Sequence, residues 1–382
     1  MVVLVTTEPE PVIPAFDGAS LTGVVAAVAD RVRGREDGLD WAPPVLAGAR
    51  QVVLFVIDGL GWEQLEHRRA LAPTLASGEG TAITSVAPST TAVALTTLST
   101  GVAPAAHGIV GYRMAIDGKI FNALRWRLAG RDARQALPAL ELQPFAAFGF
   151  AGSSEPGAPV VTRADFASTG FTAAFLSGCP MVPWHTPSGL RVGVRRLLAA
   201  GAEFVVAYYD GLDHTAHMHG LGEHYDTELL TIDRLVGDLL AELPGGAALV
   251  VTADHGQVDV GTNVELLGPE LMAGVSLLSG EGRFRWLHAR AGAADDLAAI
   301  AREQLGAGAW VRTREQVIED GWLGGRPTTA ISERLGDVAL VAHEPVAYLD
   351  PADAGEQRLA ARHGSLTPAE MWVPLLGWLP RP

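Results

Sequence analysis

Residues 51–62 read QVVLFVIDGLGW. A continuous run of β-branched and aromatic residues that stops at an Asp-Gly pair has no polar face. It reads as a strand covered on both sides, the kind found in a parallel sheet wrapped by helices. The carboxyl end of such a strand is where α/β folds hold their ligands, and Asp58 stands there. An Asp before a Gly is also an ordinary turn residue, so Asp58 acquires a chemical meaning only with partners.

Two later stretches repeat the pattern. Residues 245–261, GGAALVVTADHGQVDVG, deliver Asp254 and His255 at a strand end, with Gly256 allowing close backbone approach. Residues 203–222, EFVVAYYDGLDHTAHMHGLG, read as a strand through Tyr209 and then a loop with Asp210, Asp213, His214, His217 and His219. Asp213 and His217 are four apart, so one turn of helix places both on one face, a spacing suited to one metal ion. His214 and His219 then point elsewhere. The bland alternative is a solvated histidine-rich loop.

Between Pro88 and Gly108 the chain reads PSTTAVALTTLSTGVAPAAHG. Hydroxyl residues crowd its front, an apolar helical run follows and Gly101 stops it. Such an entry sets a hydroxyl where helix-end N–H groups and the positive end of the dipole hold an anion. Thr91 is the candidate nucleophile, and the N–H of Ala92 is placed to receive a phosphoryl oxygen if the helix starts there. An ordinary N-capped helix is the competing reading.

The totals bound what these residues do. The chain has 382 residues, 48% hydrophobic and 19% charged, and no apolar run reaches the roughly 20 residues that span a bilayer. Its opening residues lack the basic start and apolar core of a secretion signal, so the expectation is a soluble cytoplasmic protein without a membrane partner. The single cysteine, Cys179, excludes an internal disulfide and a thiolate metal cluster, and leaves His and carboxylate as ligands. A net charge of −15 disfavours a nucleic-acid polymer as partner. It also means that a bound phosphate needs local positive charge, such as metal ions. Nothing in the sequence speaks to oligomeric state.

The remaining stretches organise the chain. Residues 20–32 and 61–77 are expected as helices, His67 lying on the solvated face of the second. A hairpin is expected around Asp117 and Gly118, beside Tyr112, Arg113 and Arg125, which are candidate substrate contacts or structural residues. Residues 137–162 are rich in Pro, Gly and Ala, His185 lies in a loop, and a helix is expected from about 225 to 243. From about 266 to 349 the texture changes to strand, helix, strand, helix and strand, with His288 and His343 as packing residues. The fold expected is α/β, with a mostly parallel central sheet and helices on both faces. The core takes residues 1–265 and 350–382, and 266–349 form a small inserted α+β subdomain. The final stretch, ARHGSLTPAEMWVPLLGWLP, carries His363 and returns the chain to the main sheet.

Asp58, Asp213, His217, Asp254, His255 and His363 together provide three carboxylates and three imidazoles, enough for two metal ions with positions left open. The ordered series V-I-D-G, P-S-T-T-A, H-G-I, D-H-T-A-H-M-H-G, A-D-H-G and H-G-S-L-T-P-A-E-M resembles the alkaline phosphatase superfamily, in particular its nucleotide pyrophosphatase/phosphodiesterase branch. The resemblance spans Val52 to Pro374. It implies an alkaline phosphatase-like core, one zinc on Asp213, His217 and His363, and a second on Asp58, Asp254 and His255, with manganese as an alternative metal. It implies Thr91 as the nucleophile, from its distance before His107, with Thr90 as runner-up.

The implied reaction cleaves a phosphodiester or pyrophosphate bond of a small metabolite or nucleotide through a phospho-threonine intermediate. The chain departs from the branch at Ala94, where an Asn usually holds a phosphoryl oxygen, and no arginine is placed for a monoester, although Arg113 and Arg125 are substitutes. A phosphomonoesterase or a phosphonoacetate hydrolase-like enzyme is the alternative on the same scaffold. A sulfatase needs Cys or Ser at position 91, the mutases carry Ser and a large insert there, and a non-catalytic metal-binding sensor need not keep the whole residue set.

Overall fold

The computed structural model describes residues 8–35, 40–134, 157–353 and 355–380. Most of the 137–162 stretch therefore lies outside the described residues. Seven strands form the central sheet: β1 (Gln51–Ile57), β2 (Glu79–Thr84), β3 (Val160–Arg163), β4 (Met181–Trp184), β5 (Phe204–Tyr209), β6 (Ala247–Thr252) and β7 (Trp372–Trp378). Their order is β2-β7-β6-β1-β5-β3-β4. β7 pairs antiparallel with both of its neighbours, and the other pairings, β6-β1-β5-β3-β4, are parallel.

β1 lies between β6 and β5 and is buried at every residue except Gln51. Helices cover a sheet of this kind, and that two-sided covering is why its sequence shows no alternation. The register sets Phe55 beside Val251 and Ala207, so β1, β5 and β6 end together. Their carboxyl ends bring Asp58, the 210–219 segment and Asp254 to one rim. The C-terminal residues return to this sheet as β7, as expected.

A second sheet is antiparallel, in the order Val275–Glu281, Phe284–Ala289, Val338–Ala342, Ala309–Thr313. Helix Ala294–Leu305 packs on it, and Leu271, Leu287, Leu297 and Leu340 form its own apolar cluster. Trp286, Trp310 and Trp322 belong instead to the main core. Two buried ion pairs bind this sheet to the C-terminal part of the chain, Arg283 to Glu370 at 2.7 Å and Arg285 to Glu356 at 2.6 Å.

Three local expectations need correction. The expected 61–77 helix is two short pieces, Trp62–Glu66 and Pro73–Ala76. Pro73 has no N–H to extend a preceding helix, and it starts the second piece. The expected 210–219 loop is a helix, Gly211–His219. Strand Val275–Glu281 was not foreseen, because its small and polar residues carry little strand signal. The hairpin is present, with Asp117 and Gly118 at φ 49° and 68° between paired strands.

Candidate active site

Helix α1 (Thr91–Thr100) begins at the rim with Thr90 as its N-cap. The N–H groups of Val93 and Ala94 both donate to the Thr90 carbonyl. Among the described residues the Ala92 N–H has no protein acceptor, so it stays open at the positive end of the helix. Ser89 ties this entry to the C-terminal segment. Its N–H donates to the Gly364 carbonyl at 3.1 Å, its hydroxyl donates to the Ser365 carbonyl at 2.6 Å, and its carbonyl accepts from His363 Nδ1 at 3.0 Å. Thr91 and His363 are held together in this way across more than 270 residues of sequence.

Helix α2 (Gly211–His219) presents Asp213 and His217 on one face, their Oδ2 and Nε2 atoms 3.3 Å apart. Exposed His214 lies outside the ligand groups but borders the cavity beside Asp58 and Asp213, and His219 stacks on His224 with ring centroids 4.0 Å apart. His363 stacks on His255 at 3.6 Å, and its Nε2 lies 3.8 Å from Asp213 Oδ1. His255 Nε2 lies 3.4 Å from Asp58 Oδ1 and 3.5 Å from Asp254 Oδ2. The six expected ligands therefore converge. Asp213, His217 and His363 form one group, and Asp58, Asp213 and His255 form another, with Asp213 common to both.

Each histidine is oriented in the same way. His217, His255 and His363 donate Nδ1–H to the carbonyls of Ala361, Gly256 and Ser89. Every Nε2 lone pair therefore faces inward, the arrangement that metal-ligating histidines show. With His255 in this tautomer, the Thr91 hydroxyl donates to His255 Nε2 at 3.2 Å. His363 is held well below its ordinary pKa, first by burial and then by His255 and His217.

The carboxylates complete the picture. Burial, and then the charges of Asp254 and Asp213, push Asp58 well above the usual carboxylate range, and burial raises Asp254 as well. Among the described residues, Asp58 Oδ1 and Asp254 Oδ2 are buried without a hydrogen-bond partner, while the opposite oxygens accept from Tyr208 OH and from the Gly59 and His255 N–H groups. Two unpaired carboxylate oxygens and imidazole lone pairs that converge, reached among the described residues only by the Thr91 and Gln257 donors, fit divalent cations, and a nitrogen-and-oxygen set without thiolate suits zinc or manganese.

Sequence reasoning missed three residues here. Tyr208 anchors Asp58, and Gln257 Nε2 donates to Asp213 Oδ1 at 2.6 Å. Gln257 is fully buried, and its place directly after A-D-H-G was the available signal. Gly59, at φ 74°, leaves room for it, since a Cβ there would lie 2.6 Å from Gln257 Nε2. Glu281 arrives from the second sheet, accepts from the Thr90 hydroxyl at 3.0 Å and is pushed well above its usual range by burial. No local pattern could announce a residue brought in by a remote sheet.

Thr90 is thus engaged by Glu281, whereas Thr91 faces the converging ligands. Arg113 is buried in ion pairs with Asp350 at 2.7 Å and Asp353 at 3.5 Å. Its neighbours Tyr112 and Arg125 instead line a polar cavity of about 280 Å³ together with Thr91, Glu281, Arg362 and His363. A second cavity of about 300 Å³ opens on the other side of Thr91 and Asp58. Thr91, Leu124 and Asp213 border both cavities.

The sheet order and the rim of acidic and imidazole side chains define an alkaline phosphatase-like α/β hydrolase. The profile of the type I phosphodiesterase / nucleotide pyrophosphatase family matches residues 52–366, and the chain belongs to that family of metal-dependent phosphoric ester hydrolases. The fold is similar to murine ectonucleotide pyrophosphatase / phosphodiesterase 5, at 19% identity, covering 86% of this chain and 88% of that one with a TM-score of 0.59. An inactive variant of that murine protein was solved in complex with AMP. Phosphonoacetate hydrolase from Sinorhizobium meliloti, in complex with phosphonoformate, is similar at 19% identity, covering 86% and 90% with a TM-score of 0.61. No curated protein matches the sequence significantly. Among the described residues, no helix is long and apolar enough to cross a membrane.

Proposed function

We propose that the chain is a di-metal phosphodiesterase that uses Thr91 as nucleophile on a small phosphorylated substrate. The observation that carries this is Thr91, a residue only 8% exposed, whose hydroxyl bonds to His255 at the head of a helix and faces two candidate ligand groups. Asp213, His217 and His363 would hold one zinc, and Asp58, Asp254 and His255 the other, with manganese as the alternative. Two such ions lower the pKa of a hydroxyl, neutralise the phosphoryl charge and stabilise the leaving oxygen.

The chain's own residues do the rest. Thr91 Oγ1 gives up its proton and forms a bond to phosphorus, while the bond from phosphorus to the departing oxygen breaks and that oxygen takes up a proton. Water then cleaves the phospho-threonine, which restores the hydroxyl and releases the phosphate monoester. The open Ala92 N–H receives a non-bridging oxygen. With Asn absent at Ala94 and Arg113 committed to Asp350, the further substrate contacts fall to Arg125 and Tyr112.

Two cavities meeting at Thr91 leave room for a substituent on each side of phosphorus, which favours a diester over a monoester. AMP, a phosphate ester, and phosphonoformate, a phosphonate, are likewise small molecules in the structural relatives. The reading keeps residues 266–349 as an inserted subdomain that contributes Glu281 to the wall. It also keeps a cytoplasmic location, in line with a lone buried Cys179 whose pKa burial pushes up to about 11.

The test is turnover of bis(p-nitrophenyl) phosphate, p-nitrophenyl phosphate and phosphonoacetate by the purified protein, with metal analysis. Thr91→Ala is expected to lower diester turnover by roughly 10³-fold or more, since removing a nucleophile forfeits the covalent route. Undiminished turnover in that variant refutes the nucleophile assignment. Faster turnover of the monoester or of phosphonoacetate refutes the diester reading.

A further inference from the structure

Resting on the phosphodiesterase reading, we propose that the cavity beside Asp58 is a subsite for an apolar, uncharged substituent of the substrate, alkyl or aryl. The enzyme would then prefer such esters to nucleotide esters. The cavity encloses about 300 Å³ and starts at Thr91 and Asp58, so a phosphoryl group seated at Thr91 directs one of its substituents into it. Thr91, Leu95 and Leu98 share one helical face, at positions i, i+4 and i+7. The helix that presents the hydroxyl therefore also builds the apolar wall. Phe171, Phe175 and Val206 line the cavity further.

The charges in this lining select against a second phosphate. They are Asp58, Asp210 and Asp213, with no Lys or Arg among them, and Asp210 is paired with Arg163 at 2.8 Å. Beyond the proposed metal ligands Asp58 and Asp213, a pyrophosphate arm would meet no Lys or Arg in the lining.

The polar atoms select against a nucleobase. Thr169 Oγ1 accepts from the Thr172 N–H at 3.1 Å and donates to the Thr172 hydroxyl at 3.0 Å. Tyr208 OH is committed to Asp58. Within the lining that leaves the Thr162 and Thr172 hydroxyls, with Asp210 and the exposed His214, against a base edge carrying several donors and acceptors. Burying those without partners is unfavourable, whereas an alkyl or aryl group gains from every apolar contact. The polar cavity opposite, with Arg125, Arg362, Glu281 and Tyr112, suits the substrate's other, hydrophilic side.

The experiment uses the full chain loaded with zinc and a series of methyl, butyl, hexyl and octyl p-nitrophenyl phosphodiesters. Thymidine 5′-(p-nitrophenyl phosphate) is the nucleotide comparator. Over the first members kcat/KM is expected to rise about fourfold per methylene, equivalent to about 0.8 kcal/mol, and to exceed that of the thymidine ester. Alkylphosphonates should inhibit in the same order, a readout on the unmodified protein. Leu98→Trp, which fills the cavity, should lower the hexyl-to-methyl ratio of kcat/KM roughly tenfold. A flat series or a faster thymidine ester, with turnover still dependent on Thr91, overturns the subsite alone. An unchanged ratio in a folded Leu98→Trp protein does the same. Absence of turnover on every ester overturns the phosphodiesterase reading, and the subsite with it.

Discussion

Arg113 shows what residue type and position alone leave open. From sequence, an arginine close behind the His-Gly element is a plausible grip for phosphate. In the fold it is buried and faces Asp350 and Asp353. Replacing one member of a buried ion pair leaves the other charge stranded, so Arg113→Met is expected to cost about 3–5 kcal/mol of stability. Its effect on KM should be small in whatever fraction stays folded. Urea denaturation beside steady-state kinetics checks this, and a raised KM at unchanged stability would restore Arg113 as a substrate contact. The metal-ligand candidates were legible because six aspartates and histidines stood at strand ends, at helical spacing or in a loop near the C-terminus. Tyr208 and Gln257 were not, because a Tyr in a strand and a Gln after a Gly are common, and only their bonds to Asp58 and Asp213 single them out.

At the scale of the element, helix α1 depends on a histidine beyond its end. The Ile109 N–H donates to His107 Nδ1 at 3.1 Å, so Nε2 carries the proton and donates to the Thr97 hydroxyl at 2.9 Å. Burial, and then the charge of Arg334, hold His107 down to about 3. In the unfolded chain a histidine binds its proton near pH 6.5. Above that pH both states are neutral and stability is undiminished. As pH falls through 6.5 toward about 3, the unfolded state alone takes up a proton and stability drops by about 1.4 kcal/mol per pH unit. His107→Gln should remove that component, seen as a shallower fall of the urea midpoint between neutral pH and about pH 4. Equal slopes in the two proteins would contradict it. The helix itself was legible from its apolar run and Gly101 stop, the latter confirmed at φ 69°. The 210–219 helix was hidden because its imidazoles and carboxylate carry little intrinsic helix preference. Its packing comes from Leu212 and Ala216, buried against the core.

At the scale of the whole molecule, β1, β5 and β6 focus buried negative charge on one rim. Asp58 and Asp254 are both buried, each with an oxygen that no donor among the described residues satisfies. Removing bound metal with a chelator is therefore expected to lower the melting temperature. Adding zinc back should restore it, with a stabilisation of about 2.7 kcal/mol per ion bound at a free concentration a hundredfold above Kd. Differential scanning calorimetry with and without chelator measures the change. A melting temperature indifferent to metal would contradict the ligand set proposed here. The second sheet joins in this cooperativity through Trp286, Trp310 and Trp322 and the Arg283–Glu370 and Arg285–Glu356 pairs.

The amino-acid sequence by itself determined the class of fold and the chemical type of the centre. Continuous apolar strands demand a sheet covered on both sides, and carboxylates and imidazoles at their ends demand a cation, both consequences of local composition and spacing. Only the tertiary structure decided which hydroxyl faces the ligands, where the arginines go and what surrounds Thr91. Those depend on contacts between residues far apart in the chain, such as Ser89 with His363, Thr90 with Glu281 and Arg113 with Asp350. Burial turns such contacts into obligations, because a polar group removed from water must find its partner wherever the fold brings one.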